Sequence, residues 1–212
     1  MKKKKSGSLI VISGPSGVGK DTICNELVRK HNEICLSISM TTRERRGNEV
    51  DGENYFFVTK DDFIKNIENN NLLEYAVVHN EYYGTPKKWV LDKLGNGIDV
   101  ILLIDIEGAL KIKELYKEAI FIFIMPPNMK DLIDRLVKRG TETKEKIESR
   151  FRTAYKEINE IAKYNYVVIN DKVDNAINKI EAILIAEKCS VSRIEDLELD
   201  NVEELIHEYL MK

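Results

Sequence analysis

"SLIVISGPSGVGKDTICNELVRKH", Ser8 to His31, carries three patterns in one continuous run. It opens on SLIVIS, an apolar stretch of strand length that suits a strand buried on both faces. It closes on Asp21–His31, where Ile23, Leu27 and Val28 recur at helical spacing. Between them stand Gly14, Pro15, Ser16, Gly17, Val18, Gly19 and Lys20. Strand, G-x-x-x-x-G-K and helix in that order read as a phosphate-binding loop. Glycines allow positive φ and close approach, so backbone N–H groups can converge on phosphate oxygens. The helix start adds its positive end, and Lys20 adds a point charge for the outer phosphates. The hydroxyl usual after the lysine is absent: Asp21 holds that place and Thr22 comes one residue late. In many such loops that hydroxyl touches Mg²⁺, together with an acidic residue ending another strand. Asp105, at the end of DVILLID, is the acidic candidate, and Thr22 is a second candidate. Waters can bridge to either, because Mg²⁺ keeps much of its hydration.

Working outward, Asp99–Asp105, Ala119–Met125 and Tyr166–Asn170 are further apolar runs of strand length. Each precedes an amphipathic stretch: Glu107–Tyr116, Met129–Arg139 and Val173–Glu187. Buried strands alternating with helices predict an α/β fold, a parallel sheet flanked by helices. Residues 37–89 break the rhythm with YFFV, the alternating LLEYAVVH, and turn residues Gly47, Gly52 and Gly84. They read as an inserted strand-rich lobe. Arg135–Ala154 is dense in charge and broken by Gly140-Thr141, which predicts two helices joined by a mobile basic turn, a lid over about 135–155. The core then comprises 1–36 and 90–187, and 188–212 form an acidic, helical tail with no assigned chemistry.

Composition narrows the class. A chain of 212 residues with 43% hydrophobic and 33% charged residues suits one soluble globular core. A net charge of -3 argues against a general nucleic-acid binder, so an anionic substrate needs a local basic cluster. Three cysteines, Cys24, Cys35 and Cys189, lack C-x-x-C spacing and fit reduced thiols in the cytoplasm. The start MKKKKSGSLIVISG is cut by Ser13-Gly14 too early for a signal peptide, and no stretch has transmembrane length.

The lobe suggests an acceptor. Arg43 and Arg46 stand three apart in one loop, and guanidinium forks suit a phosphate dianion. Tyr55 and Tyr83 can add O–H donors. From Leu9 to Glu187 the chain resembles guanylate kinase, through GPSGVGK, S-x-T-T-R-x-x-R, G-E-x-Y-F-F, L-E-Y-A, Y-Y-G-T, D-x-x-G, R-G-T-E-T with a following arginine, and V-x-N-D.

The resemblance implies Mg²⁺-dependent transfer of the ATP γ-phosphate to GMP, and to dGMP, in purine nucleotide metabolism. It implies that Arg43, Arg46, Tyr55 and Tyr83 hold the GMP phosphate, with Asp105 and Arg150 also on the GMP side. It places Glu74 against N1–H and N2–H₂ of guanine, with Ser39 and Thr85 as hydroxyls for O6. Arg135, Arg139 and Arg150 become lid arginines over ATP, and Asn170 lies beside the donor adenine. No covalent nucleophile is required, and His31, His79 and His207 gain no catalytic role.

The chain departs from the family at Asp21, at Leu103 where a carboxylate is frequent, at Glu107 for Gln, and at Arg45 for Pro. Two rivals stand beside the enzyme. One is a binding module of the same fold that has lost catalysis, against which Lys20 speaks; the other is a related kinase for another phosphorylated small molecule, against which Glu74, Ser39 and Thr85 speak.

Overall fold

A central strand made wholly of buried residues anchors the molecule: β1, Leu9–Ser13, in a computed structural model that describes residues 6–78, 80–138, 144–193 and 210. After it come α1 (Lys20–Lys30) and β2 (Ile34–Leu36), and then the lobe elements β3 (Met40–Thr41), β4 (Phe56–Phe57), α2 (Lys60–Glu68), β5 (Leu72–Val78) and β6 (Glu81–Pro86). The chain continues through α3 (Lys87–Gly95), β7 (Asp99–Leu103), α4 (Ile106–Leu115), β8 (Ile120–Met125), α5 (Met129–Lys138), α6 (Lys144–Ile158), β9 (Tyr166–Ile169) and α7 (Val173–Lys188). It divides into two compact units, Met1–Ile177 and Asn178–Lys212.

The first unit holds a five-stranded sheet in the order β2-β7-β1-β8-β9, parallel throughout. Val11 faces Leu102 on one neighbour and Phe121 on the other. With Leu9 and Val100 they pack on Val90 of α3 and on Ala109 and Ile112 of α4. Ile10 and Ile12 point to the opposite face and are also fully buried. Each such side chain stabilises by about 1.5–3 kcal/mol, so β1 is a rigid post for the loop that leaves its end. In open parallel sheets ligands bind beyond the carboxyl ends of the strands. The Gly-rich loop, Asp105 and Asn170 all follow such ends, after β1, β7 and β9.

A second sheet, β4-β3-β6-β5, forms the lobe. The lobe, expected to be strand-rich, also holds a helix: α2 runs through it, begun by Thr59, whose side chain accepts from Asp62 N–H. Its Phe63 is fully buried, with its ring 5.3 Å from that of Tyr82. The T-x-x-D start signals this helix in the sequence. Three further differences stand out. β2 is too short to show a period. The expected boundary at 89/90 falls inside α3. β7 stops at Leu103, and Asp105 is the N-cap of α4, accepting from Gly108 N–H at 2.7 Å.

In the second unit the described residues form the later turns of α7 and a short 3-10 turn, Val191–Arg193, tied by Arg193 Nε to Glu187 at 2.9 Å. The rest of the expected tail lies outside the described residues. No described helix is long and apolar enough to cross a membrane.

Candidate active site

The Gly-rich loop is fixed first by its own backbone. Gly14 has φ +148°, and a Cβ there would lie 2.3 Å from the Ile124 carbonyl oxygen, so no other residue fits. Gly19, at φ 94°, makes the left-handed turn into α1. Lys20 folds back over the loop, its Nζ donating to the carbonyls of Gly14 at 2.5 Å and Pro15 at 3.2 Å.

Two sets of side chains brace the loop from outside. Asn170 Nδ2 and Arg135 Nη1 both donate to the Val18 carbonyl, at 2.7 and 3.1 Å, and Arg135 Nη2 donates to Asn170 O at 3.1 Å. The sequence reading assigns both residues to ATP; here they hold the back of the loop that would receive it. From α6, Arg150 Nη2 donates to Ser16 Oγ at 2.5 Å, and the Ser16 backbone favours the charged form of Glu157. Arg150 and Glu157 are two helical turns apart, so both lie on the face of α6 that meets the loop. Glu157 escapes the sequence reading, whose trace of it is only this spacing. Burial pushes its carboxyl up and Lys20 opposes the rise.

Asp21 and Thr22 are exposed in the first turn of α1, and Asp105 is exposed at the head of α4. Among the described residues no group of three or more His, Cys, Asp or Glu is placed to hold a metal ion. Protein ligands alone therefore make no cage here. A hydrated ion held mainly by nucleotide phosphates would fit this donor set, which offers single carboxylates such as Asp105 rather than a cage.

In the lobe, Arg43, Tyr55 and Tyr83 come together. The Arg43 guanidinium lies 5.2 Å from the centre of the Tyr55 ring, and the Tyr55 and Tyr83 rings meet edge-on at 6.1 Å. Tyr83, like Glu49, favours the charged form of Arg43. The fork is already engaged: Nη1 and Nη2 of Arg43 donate to Glu49 Oε2 and Oε1, at 3.0 and 2.8 Å. Glu49 raises the guanidinium's pKa, and Arg43 in turn holds the Glu49 carboxyl below its ordinary value. The Arg46 backbone N–H donates to the same carboxylate at 2.8 Å, while the residue itself is exposed. Glu49, which the sequence reading misses, thus holds the fork in the two-point geometry that a phosphate also demands. Lysine cannot reproduce that fork. Arg43→Lys is expected to raise the KM for a phosphorylated acceptor by about 10–100-fold, the worth of one charge-assisted hydrogen bond. The KM for ATP should be unchanged; initial-rate kinetics with each nucleotide varied in turn decide it.

Glu74 and Thr85 form a buried polar pair. Glu74 is 8% exposed, Thr85 not at all, and Thr85 Oγ1 donates to Glu74 Oε1 at 2.7 Å. In a regular strand Leu73 and Glu74, being neighbours, would point to opposite faces. The register of β5 against β6 shifts between Leu72 and Tyr75, and this irregularity turns both inward. Burial raises the Glu74 pKa, Asp105 adds to the rise and Thr85 opposes it. Thr85 is expected to serve guanine O6; its single proton is spent here on Glu74. Ser39 is half-buried, its carbonyl accepting from Phe56 N–H at 2.9 Å. Asp105 stands between the two halves of the site, acting electrostatically on Glu74 and on Glu157. Arg139, the central turn of the expected lid, His79 and His207 lie outside the described residues.

A family model described as guanylate kinase matches residues 6–187. The chain belongs to the guanylate kinase family. It is 56% identical to the guanylate kinase of Caldanaerobacter subterraneus subsp. tengcongensis, over 97% of this chain and 100% of that one. Its identity to the guanylate kinase of Clostridium tetani is 55%, over 97% and 99%. Among solved structures, it resembles guanylate kinase from Anaplasma phagocytophilum with a TM-score of 0.73 and 32% identity, covering 98% of this chain and 97% of that one. The family match spans both sheets, the parallel sheet and the lobe.

Proposed function

We propose that this protein is an ATP:GMP phosphotransferase, moving the γ-phosphate of ATP reversibly to GMP or dGMP and yielding ADP and GDP or dGDP, a reaction of cytoplasmic purine nucleotide metabolism. The observation that carries the reading is Glu74: a carboxylate turned into the interior by a strand irregularity and fixed by Thr85, in the same unit as an intact phosphate loop. A carboxylate can accept from the two adjacent donors of guanine, N1–H and N2–H₂. Adenine has an acceptor at N1 and no N2 amine, and would leave that buried charge unpaired. Ser39 is the remaining hydroxyl for O6.

The loop N–H groups of residues 14–20 and Lys20 receive the ATP phosphates, with Asn170 and Arg135 keeping the loop in shape. Arg43, Arg46, Tyr55 and Tyr83 take the GMP phosphate, which replaces the Glu49 carboxylate on the fork. An oxygen of that phosphate attacks the γ-phosphorus, and the bond to the β-bridging oxygen breaks. Charge spreads over three equatorial oxygens, so positioning and cationic donors supply the catalysis. Arg150, already beside Ser16, and Arg139 are the side chains for it. Asp105 through water, and Thr22, would hold a Mg²⁺ bound with ATP, which would supply neutralisation of phosphate charge.

ADP release measured in parallel with GMP, AMP, UMP, CMP and TMP tests the reading. Turnover should be confined to GMP and dGMP. Silence with GMP refutes the enzyme, and equal rates with AMP refute the role of Glu74. Excess EDTA should stop turnover and added Mg²⁺ restore it; undiminished activity in EDTA would exclude the metal.

A further inference from the structure

Gly108 lies buried in the first turn of α4, and its backbone does not call for glycine. It is not among the glycines of positive φ. A glycine inside a helix weakens it relative to alanine, so the residue carries a cost that some contact must explain. A Cβ on Gly108 would lie 3.0 Å from Glu74 Oε2, 3.2 Å from Asp105 Oδ1 and 3.5 Å from Glu74 Cδ. Both neighbours are tethered. Glu74 Oε1 holds the Thr85 hydroxyl at 2.7 Å, and Asp105 Oδ1 holds the N–H of Gly108 itself at 2.7 Å. Neither carboxylate can move aside without straining its hydrogen bond.

We propose that Gly108 is a positioning residue for acceptor specificity: its missing side chain is the space in which the Glu74 carboxylate lies flat against the head of α4. Thr85 fixes one oxygen and Gly108 leaves room for the other, so together they set the plane of the carboxylate. The positive end of α4 faces the same group and offsets part of the cost of burying it. Pairing with N1–H and N2–H₂ needs both oxygens in the plane of the base. Binding groups of this kind must be held within about 0.5 Å of the productive position, and a methyl at Gly108 would make Oε2 give by a few tenths of an ångström. The inference rests on the reading of Glu74 as the guanine contact.

The test is Gly108→Ala in the full chain, with GMP, IMP (which lacks the N2 amine) and ATP each varied, and thermal unfolding followed. The KM for GMP should rise about tenfold, the scale of one weakened charge-assisted hydrogen bond. The preference for GMP over IMP should shrink towards parity, with the KM for ATP unchanged and the Tm not lowered. In a Glu74→Gln background the same substitution should add nothing, since coupled sites are not additive. A wild-type KM and GMP/IMP ratio in Gly108→Ala overturns the proposal, as do independent, multiplying effects of the two substitutions or an equal loss of ATP affinity. If Gly108→Ala fails to fold, Glu74→Ala in the same chain should restore folding; failure to restore it places the clash elsewhere and also overturns the proposal. An unaltered protein inactive with GMP would instead refute the proposed function, a separate outcome.

Discussion

Lys20→Ala is expected to lower phosphoryl transfer by at least about 10³-fold, the scale of losing one preorganised charge on a transferring group. Lys20 is the first residue of α1, at the head of a helix whose positive end faces the loop. Its Nζ rests on two loop carbonyls, poised over the space a phosphate would enter. Nothing in the core depends on it. Ile23, Cys24 and Leu27 bury α1, and Gly14 and Gly19 shape the loop through backbone geometry alone. The far-ultraviolet dichroism and Tm of Lys20→Ala should therefore match the parent while turnover disappears. A variant that keeps its activity would remove the phosphate-loop assignment; one that loses its Tm would show that the lysine is structural.

Glu74→Gln should cost about 10³–10⁴-fold in kcat/KM for GMP, as in sites that read a substrate through buried hydrogen bonds. The amide sets N–H₂ against the N–H groups of guanine, donor against donor. The same substitution should raise the Tm at neutral pH, because it removes a charge whose burial is unfavourable. The sign follows from the raised pKa of Glu74. A carboxyl with a higher pKa folded than unfolded binds protons more tightly when folded, so its stabilising effect is complete below the ordinary glutamate pKa and is lost as pH rises through the folded value. The stability gap between Glu74→Gln and the parent should therefore close as pH falls below the ordinary glutamate range. The KM of the parent for GMP should rise over that descent, as the carboxylate is protonated. A gap that widens on acidification contradicts the buried, charged state of Glu74.

Much of the phosphate half is legible in the chain itself. The loop glycines, Lys20 and the flanking apolar runs are local: strand, turn and helix are neighbours in sequence, and their spacing alone sets backbone N–H groups around an anion. The parallel sheet is legible for the same reason, since continuous apolar runs of strand length have no other use in a chain with intervening helices. Arg43, Tyr55, Glu74 and Thr85 could be named because they resemble a family, yet their arrangement was not legible. Alternation along β5 would put Glu74 on the opposite side from Leu73, whereas the register shift against β6 accompanies both facing α4. Glu49 and Glu157 left no mark, because a carboxylate among many charges gains meaning only from the partner it meets.

What the sequence by itself determined is therefore the sheet, the loop and the family, all properties of contiguous residues and their periods. What the tertiary structure alone decided is the state of the side chains between distant segments. Arg43 is forked on Glu49, Arg150 holds Ser16, and Glu74 lies between Thr85 and Gly108. The reason is physical: the pKa of a carboxyl, the freedom of an arginine and the need for a glycine depend on burial and on atoms about 3 Å away, and neither is a property of neighbours in the chain.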